Sequence, residues 1–380
     1  MELPKKKRKV LFLISNLGGG GAEKVLIDLT NHLNFQENEV EVRTLFNEGK
    51  YRNDLNENIQ YTTILKNPTL LQKRILSRII KYFPSKWVYR MFVKDTYDVE
   101  IAFLESLPVK LLCGSTSDAV KIAWVHADIF AFPENLHLFR GKERLIDAYS
   151  RFDKVVCVSD SVKQSFVEHT GLADSAVTIY NPIDKAQILR KAQLPCPKKA
   201  DPQKFTMVSI GRVNPEKGYG RLCEVIQKLV PDYPNIELWI LGEGLEFDNI
   251  KQFISQNHLE TYIHLLGFQD NPYHYLNQAD LFVSASFTEG YSLVLAEAMV
   301  LGKPVLSTDT VGPRNILSSG KYGYLAENST EGLYHGIKDL LDHPAKLEEV
   351  REQVCARQDF FKLEEIIRQT ESLFALKDTP

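Results

Sequence analysis

The chain has 380 residues, of which 44% are hydrophobic and 25% charged, and its formal net charge is −3. This is the composition of a globular protein long enough for two domains, and the slight negative charge does not favour a nucleic-acid-binding protein. The five cysteines are scattered and form no CxxC motif, so a reducing compartment and no structural zinc site are expected.

No apolar run reaches the ~18 residues that a membrane-spanning helix needs, so no such helix is expected. The sequence begins MELPKKKRKVLFLIS, a basic block followed by a short apolar run. We interpret that run as a first buried strand rather than a signal peptide. The protein is therefore expected in the cytoplasm, or at the inner face of the cell membrane if the basic stretch described below binds lipid.

Apolar, β-branched runs alternate with helical stretches in the first half of the chain. The runs are VLFLISN, EVEVRTLF, DVEIAFLES, KIAWVH and KVVCVSDS. Continuous apolar strands separated by amphipathic helices are typical of a parallel sheet that is covered on both faces. Residues 1–185 are predicted to form one such domain.

A glycine-rich loop, SNLGGGGAEK, joins the first strand to a helix. Glycine lets the backbone approach a ligand closely, and a helix start favours phosphate. A dinucleotide-binding fingerprint would need a third glycine where Glu23 stands, so a dehydrogenase is not favoured. Gly19 and Gly20 are taken as candidate ligand-binding positions.

Residues 66–94 depart from the sheet-forming pattern. One helical face, near residues 70–92, is apolar and consists of Leu71, Ile75, Ile79 and Phe83, with Leu76 and Ile80 beside it. The stretch has no acidic residue, and its cations are Lys73, Arg74, Arg78, Lys81, Lys86, Arg90 and Lys94. A basic amphipathic helix suits an anionic membrane surface, although a core-facing helix with a basic solvated side has the same pattern. The local charge bias in a chain of net negative charge favours the membrane.

His126 ends the strand KIAWVH, at the edge where ligands bind in parallel sheets. A packed or solvated histidine would look the same in the sequence as a functional one. His126 is kept as a candidate catalytic residue.

The alternation breaks at NPIDKAQILRKAQLPCPKKADPQ, which is rich in proline and lysine. Residues 186–203 are therefore expected to be a linker, and residues 204–355 a second doubly wound domain. Its strands are predicted at KFTMVSIG, IELWILG, IHLLGF, ADLFVSAS and PVLSTD. Residues 356–380 are predicted to include a helix that packs toward the first domain.

The stretch SIGRVNPEKGYGRL follows the first strand of this second domain. Arg212 and Lys217 flank a proline-containing turn at the carboxyl end of that strand. A guanidinium fork and an ammonium group suit the two phosphates of a nucleotide diphosphate. Two solvated turn cations would give the same pattern.

The stretch FTEGYSLVLAEAMVLGKPVLSTD places two glutamates, Glu289 and Glu297, in an apolar run. A helix is predicted from Ser292, as N-cap, to the terminator at residues 302–304. Glu289 then lies in the loop after a strand, and Glu297 lies inside the helix. Free N–H groups at residues 290–292 favour an anion, and the carboxylates favour the hydroxyls of a sugar and a ribose. The same spacing would arise if Glu289 only interacted favourably with the dipole at the helix N-terminus and Glu297 were a solvent-exposed helical residue.

These stretches together resemble the retaining GT-B glycosyltransferases of glycosyltransferase family 4, also called group 1. The motifs are GRVNPEKGYGRL, the glycine loop and IHLLGFQDNPYHYLNQADLFVSASFTEGYSLVLAEAMVLGKPV. The similarity covers nearly the whole chain and is densest at 208–325. It implies an α/β fold of the GT-B type, with two doubly wound parallel-sheet (Rossmann-like) domains facing a cleft and a C-terminal helix that crosses back.

The resemblance also implies roles for individual residues. Glu289 would hold the donor sugar and Glu297 the ribose. Arg212 and Lys217 would bind the diphosphate. His126 would face the donor sugar.

Further positions follow from the same resemblance. The segment around residues 266–268 resembles the part that meets the nucleobase, residues 310–317 resemble a donor-side loop, and residues 181–182 the hinge between domains. The implied donor-binding set is Gly19, Gly20, Gly211, Arg212, Lys217, Gly267, Phe268, Glu289, Gly290, Tyr291, Ser292, Leu293 and Glu297. The implied catalytic set is Glu289, His126, Arg212 and Lys217.

The sequence thus predicts a retaining transferase that moves a hexose or N-acetylhexosamine from a nucleotide diphosphate, with UDP favoured. The expected acceptor is a growing glycan, lipid-linked if the basic helix meets a membrane, in polysaccharide or capsule biosynthesis. The sequence contains no D-x-D motif that could bind a metal ion, so neither a metal nor a cofactor other than the donor is expected. A nucleotide-sugar epimerase of related fold and a non-catalytic nucleotide-sugar-binding subunit are the alternatives.

Overall fold

The computed structural model describes residues 6–18, 20–131 and 133–377. The chain divides into two compact units at Pro182. The second unit is Ile183–Lys362, and the first contains the described residues before it together with those from Leu363 onward.

The first unit is built on one parallel sheet of seven strands, in the order β3-β2-β1-β4-β5-β6-β7. The strands are β1 (Arg8–Ile14), β2 (Asn38–Phe46), β3 (Gln60–Leu65), β4 (Val99–Ala102), β5 (Val120–Val125), β6 (Lys154–Cys157) and β7 (Ala176–Thr178). The helices before the boundary are α1 (Gly21–Thr30), α2 (Leu70–Tyr82), α3 (Ser85–Phe92), α4 (Leu107–Leu112), α5 (Pro133–Phe139), α6 (Lys142–Tyr149) and α7 (Asp160–Thr170). Consecutive residues of β1, from Val10 to Ile14, are fully buried, so both faces of the sheet are covered.

The second unit contains a parallel sheet of six strands, in the order β10-β9-β8-β11-β12-β13. The strands are β8 (Phe205–Ile210), β9 (Ile236–Leu241), β10 (Ile263–Gly267), β11 (Leu281–Ser284), β12 (Val305–Thr308) and β13 (Tyr324–Ala326). The helices are α8 (Lys185–Ala192), α9 (Tyr219–Leu229), α10 (Phe247–Gln256), α11 (Tyr273–Gln278), α12 (Leu293–Val300), α13 (Val311–Ile316), α14 (Thr330–Asp342) and α15 (Pro344–Cys355). The prediction of two doubly wound parallel sheets is confirmed.

The segment expected as a linker, residues 186–203, is structured within the second unit. Helix α8 begins at Lys185, and the Asn271 side chain donates a hydrogen bond to the carbonyl of Lys191, 2.8 Å away. Further along, the backbone N–H of Ala200 donates to the Gln278 side chain at 3.0 Å. A proline- and lysine-rich composition indicated irregular structure there, but these contacts attach the segment to helix α11 and its flanking loop.

The last helix, α16 (Leu363–Phe374), belongs to the first unit. Its Glu371 carboxylate accepts hydrogen bonds from the backbone N–H of Asn34, at 2.7 Å, and from the Asn38 side chain, at 3.1 Å. Phe374, at the end of the helix, is buried. The chain therefore returns to the first unit after completing the second.

The basic stretch forms two helices rather than one. Pro84 separates α2 from α3, because proline disfavours helical backbone in the residue before it and cannot donate a hydrogen bond within a helix. Leu76 and Ile80 are the buried side chains of α2, whereas Leu71 and Ile75 are 66% and 46% exposed. The helix thus packs through Leu76 and Ile80, whereas Leu71 and Ile75 of its predicted apolar face remain in solvent.

Candidate functional site

The second sheet has a topological switch point between β8 and β11. From β8 the chain continues outward through β9 and β10, and from β11 it continues the other way through β12 and β13. Ligands of open parallel sheets bind at the carboxyl edge beside such a point, where the flanking loops diverge. The two loops here follow Ile210 and Ser284, and they contain the predicted cations and the first predicted carboxylate.

An ion pair joins these two loops. The Lys217 ammonium nitrogen lies 2.5 Å from Oε2 of Glu289, and both side chains are largely buried, with exposed fractions of 25% and 13%. The Ser286 hydroxyl donates to the same carboxylate oxygen at 3.2 Å. The backbone adds a further link, since the N–H of Phe287 donates to the carbonyl of Glu216 at 2.8 Å. The structure therefore brings Lys217 and Glu289 together although 72 positions separate them in the sequence.

The close approach of the loops depends on Gly218. This residue has φ +67°, a left-handed conformation that side-chain-bearing residues rarely adopt. A Cβ atom at the same position would lie 2.1 Å from the carbonyl oxygen of Ala285. Any larger residue at 218 would therefore separate the two loops.

Arg221 holds the loop after β11 in place, and no signal in the sequence distinguishes it from other helical arginines. Its guanidinium is buried and donates to the carbonyls of Ala285, at 2.6 and 2.9 Å, and of Ser286, at 2.8 Å. It also donates to the Asn328 side chain at 2.9 Å, whose amide in turn donates to the carbonyl of Phe287 at 3.0 Å. These bonds fix the backbone that presents Glu289.

The start of helix α12 offers backbone donors. Among the described residues, the N–H groups of Gly290, Ser292 and Leu293 have no carbonyl or side-chain acceptor. The Ser292 side chain, expected to cap the helix, makes no capping hydrogen bond. Unpaired N–H groups at a helix start attract anions, so this turn could receive a phosphate.

Glu297 lies deeper in the unit than Glu289. It is 2% exposed, and one carboxylate oxygen accepts a hydrogen bond from the Tyr273 hydroxyl at 3.1 Å. Tyr273 is a further residue that sequence reasoning did not identify. The ribose role of Glu297 stays a prediction.

The remaining second-unit candidates lie at the same edge of the sheet. Arg212 is exposed and has no ion-pair partner in the part of the chain that the structure describes. Gly267 ends β10, and its carbonyl accepts a hydrogen bond from the N–H of Gly242 at 2.8 Å. The loop that contains Phe268 is held by the Gln269 side chain, which donates to the carbonyl of Leu266 at 2.6 Å. The N–H of Gly312 donates to the carbonyl of Glu289 at 2.8 Å, so the loop after β12 also contacts the site.

The first sheet has its own switch point, between β1 and β4, because β2 and β3 lie on one side and β5 to β7 on the other. Gly20 is the residue before helix α1, at the carboxyl end of β1, whereas Gly19 lies outside the described residues. His126 follows β5, and its ring centroid is 4.9 Å from that of Phe103. Its Nε2 atom is enclosed without a hydrogen-bond partner among the described residues. Burial lowers the pKa of His126 to about 3, so the imidazole is neutral at neutral pH.

Glu105, which sequence reasoning missed, follows β4 at this switch point. It is 9% exposed, and its Oε2 accepts a hydrogen bond from the backbone N–H of His126 at 3.4 Å. Burial raises the pKa of Glu105 to about 7, and the backbone N–H groups of His126 and Ala127 oppose that rise. An acidic residue two positions after the apolar stretch DVEIAF was the available signal.

The raised pKa of Glu105 predicts a pH-dependent contribution to stability. The carboxyl has an ordinary pKa of 4.5 in the unfolded chain and about 7 in the folded one. The folded state therefore holds the proton more tightly, and the free energy of unfolding falls as pH rises from about 4.5 through about 7, by up to about 3 kcal/mol. Urea unfolding of the wild type and of Glu105→Gln at pH 5 and pH 8 should show that only the wild type has this component.

The matched control is Glu260→Gln, since Glu260 is an exposed carboxylate of the second unit. It should leave the pH dependence of unfolding as in the wild type. An identical pH dependence in the wild type and in Glu105→Gln would show that Glu105 ionises alike in both states.

Comparisons with known proteins agree with these two units. Residues 19–187 match the family model described as Glycosyltransferase Family 4, and residues 192–356 match that of Glycosyl transferases group 1. A Campylobacter jejuni protein is 27% identical over 347 residues, covering 88% of this chain and 90% of its own. Its name is N-acetylgalactosamine-N,N'-diacetylbacillosaminyl-diphospho-undecaprenol 4-alpha-N-acetylgalactosaminyltransferase.

Two further proteins extend the comparison. The lipopolysaccharide core biosynthesis glycosyltransferase LpsD of Rhizobium meliloti is 24% identical over 341 residues, covering 89% of this chain and 88% of its own. The crystal structure of HepE from Anabaena in complex with UDP-glucose superposes with a TM-score of 0.77 at 20% identity, over 97% of this chain and all of that one. The family models, which between them match both halves of the chain, show that this protein belongs to the group 1 glycosyltransferases and has the GT-B fold.

Proposed function

We propose that this glycosyltransferase is a retaining enzyme that transfers a hexose or N-acetylhexosamine from a UDP-sugar to a lipid-linked glycan of a cell-surface polysaccharide. The observation that carries the proposal is the contact between Lys217 and Glu289 at the switch point of the second sheet. It places a cation suited to a diphosphate directly beside a carboxylate suited to sugar hydroxyls. The UDP-glucose complex of HepE and the diphospho-undecaprenol acceptor in the name of the Campylobacter relative support the donor and acceptor classes.

The reaction breaks the bond between the anomeric carbon and the diphosphate oxygen and forms a bond from that carbon to the acceptor oxygen. The transition state has oxocarbenium character, as in glycoside hydrolysis, and the leaving diphosphate gains negative charge. Lys217, Arg212 and the N–H groups at the start of α12 would stabilise that charge from fixed positions. The proton of the acceptor hydroxyl passes to an oxygen of the leaving phosphate, on the face that the leaving group occupied.

Glu289 and His126 would act on the sugar rather than on the phosphates. The Glu289 carboxylate is oriented by Lys217 and by Ser286, so it can accept hydrogen bonds from donor hydroxyls without turning. The His126 imidazole is neutral, and therefore it adds no positive charge next to a developing oxocarbenium ion. Both are positioning roles that involve no covalent intermediate.

A donor screen tests this proposal. Thermal shift and hydrolysis would be measured with UDP-, GDP- and ADP-sugars, and the anomeric configuration of the transferred sugar would then be determined by NMR. Stabilisation by UDP-sugars, slow hydrolysis and a retained anomer are expected. An inverted product would contradict retention, an isomerised donor would indicate an epimerase, and binding without turnover on any acceptor would indicate a binding subunit.

We also propose that the exposed face of α2 and α3 contacts an anionic membrane. Large apolar side chains stand in solvent on these two helices: Leu70, Leu71, Ile75, Tyr82, Phe83, Trp87 and Met91. Exposed cations, among them Arg74 and Arg78, lie on the same helices, and an apolar face ringed by cations is the form of an interfacial helix. Across the described ranges, no helix combines the length and the apolar character needed to cross a bilayer.

Charge reversal tests the membrane contact. The triple variant Arg74→Glu, Arg78→Glu, Lys81→Glu should bind phosphatidylglycerol vesicles at least ~10²-fold more weakly, because each basic residue near the surface contributes about 1 kcal/mol of attraction. Trp87 is 72% exposed whereas Trp124 and Trp239 are fully buried, so a blue shift of the intrinsic fluorescence would report on Trp87 alone.

The control for this experiment reverses Lys199, Lys251 and Lys362, which are exposed cations of the second unit. That variant changes the net charge equally and should keep vesicle binding within a few-fold of the wild type. Equal losses of vesicle affinity in both variants would show that net charge, rather than this surface, causes the effect. No loss in either variant would rule out the contact.

A further inference from the structure

A cavity of 370 Å³ lies in the first unit, beside the turn between α2 and α3. It is enclosed by the first turn of α3, the last turn of α4 and one side of α6. The polar residues that define this cavity, called here the basic pocket, are Ser85, Lys86, Lys110, Arg144, Asp147 and Arg151. None of them belongs to the candidate donor site.

The basic pocket has a strong excess of positive charge, with four cations and a single carboxylate in its wall. That carboxylate, Asp147, is already paired with Arg151 at 2.8 Å. Lys86 and Arg144 are exposed, and within the described residues no carboxylate pairs with either. The pocket therefore suits an anion that can engage several cations at once.

The chemistry of the remaining wall agrees with an anion site. Cys113 is buried in the wall, and its burial raises the pKa of the thiol, so the sulfur adds no negative charge at neutral pH. The wall is also closely packed: a Cβ atom on Gly114 would lie 2.1 Å from the carbonyl oxygen of Ser85. The end of α4 and the start of α3 are thus in direct contact, which fixes the position of Lys86.

The surroundings of the basic pocket indicate what kind of anion it binds. Phe83 and Trp87 flank the wall residues 84–86 in the sequence, and their side chains are 58% and 72% exposed. A tryptophan, which has an apolar body and a polar N–H, is typical of the interface between headgroups and acyl chains, and the exposed Phe83 ring adds apolar surface beside it. A soluble phosphate would gain nothing from these neighbours, whereas a lipid would place its phosphate in the pocket and its chains against them.

We propose that the basic pocket binds the phosphate-bearing headgroup of an anionic phospholipid. Lys86 and Arg144 would contact the phosphate, and Lys110 would add to the positive field of the pocket. Phe83 and Trp87 would lie against the first segment of the acyl chains. The inference rests on the proposed membrane contact of α2 and α3, and it is independent of the donor site in the second unit.

Binding of dihexanoyl phosphatidylglycerol below its micelle concentration tests the proposal on the full chain by titration calorimetry. The pocket variant is Lys86→Ala, Arg144→Ala. It should lose roughly 10²-fold in affinity, because two charge-assisted hydrogen bonds are removed. The control variant, Lys199→Ala, Lys251→Ala, removes the same charge from exposed positions of the second unit and should stay within about 2-fold.

Further arms of the experiment identify the source of the phosphate. Dihexanoyl phosphatidylcholine and glycerophosphoglycerol should each bind the wild type at least ~10-fold more weakly, because the first is neutral overall and the second is the headgroup without its chains. Equal affinity for glycerophosphoglycerol would overturn the lipid assignment. Equal losses in the pocket and control variants would overturn the pocket itself.

Two readouts separate this proposal from the proposed function. Hydrolysis of the UDP-sugar by the pocket variant should equal that of the wild type, and an equal melting temperature would show that the fold is intact. If the wild type binds the lipid but turns over no nucleotide sugar, the transferase proposal falls and the pocket stands. If it hydrolyses the donor but does not bind phosphatidylglycerol, the pocket falls and the transferase proposal stands.

Discussion

Replacement of Lys217 by alanine is expected to lower kcat/KM for the sugar donor by about 10²-fold or more, the scale of one lost transition-state contact. The ammonium group would meet the diphosphate both in the bound donor and in the transition state, where the phosphate charge is greater. Its removal therefore weakens donor binding and turnover together. Steady-state rates for the donor selected in the screen would measure both quantities.

Lys251→Ala is the matched control, because Lys251 is an exposed lysine of the same unit, on α10. It should leave kcat and KM unchanged. Loss of Lys217 also leaves the Glu289 carboxylate, only 13% exposed, without its cation, so the melting temperature of each variant must accompany the rates. A folded Lys217→Ala variant with wild-type kcat/KM would contradict the diphosphate role.

Replacement of Glu289 by alanine is expected to lower kcat by about 10²-fold or more, with little increase in KM. The carboxylate is proposed to orient and stabilise the sugar as it develops positive charge, an interaction that is stronger in the transition state than in the bound donor. Removing it also frees Lys217 for the diphosphate, so donor binding is preserved. This division between kcat and KM distinguishes Glu289→Ala from Lys217→Ala.

Two comparisons make the Glu289 experiment decisive. Glu260→Ala removes an exposed carboxylate of the second unit and should have no effect on the rate. The double variant of Lys217 and Glu289 should lose less than the two single losses combined, because side chains in direct contact are not energetically independent. Strict additivity, or full activity of Glu289→Ala, would be inconsistent with a site formed by this pair.

The architecture could be predicted from the sequence because its signals are local. Continuous apolar runs such as Val10 to Ile14 and Ile236 to Leu241 indicate strands buried on both faces, and the helical stretches between them indicate parallel connections. The loops at strand ends, including those that contain Lys217 and Glu289, follow from the same pattern. The family resemblance then gave these loops a function that their spacing alone left open.

Other features of the site depend on contacts between distant segments. Arg221 looks like any helical arginine in the sequence, and its bonds to the carbonyls of Ala285 and Ser286 arise because β8 and β11 are neighbours in the sheet. Glu105 reaches the N–H of His126 because β4 pairs with β5. Strand order is not encoded in the periodicity of either strand, so these contacts could not be predicted from it.

The sequence by itself determined that this chain forms two parallel sheets, that cations and carboxylates follow their strands, and that residues 66–94 are helical, basic and apolar on one side. The tertiary structure alone decided that Lys217 meets Glu289, and that α2 buries Leu76 and Ile80 while Leu71 and Ile75 stay in solvent. The physical reason is that periodicity reports which residues share a face of one element, whereas burial depends on which neighbour covers that face. The contact between Lys217 and Glu289 and the exposed apolar face of α2 therefore both depend on how distant segments pack together.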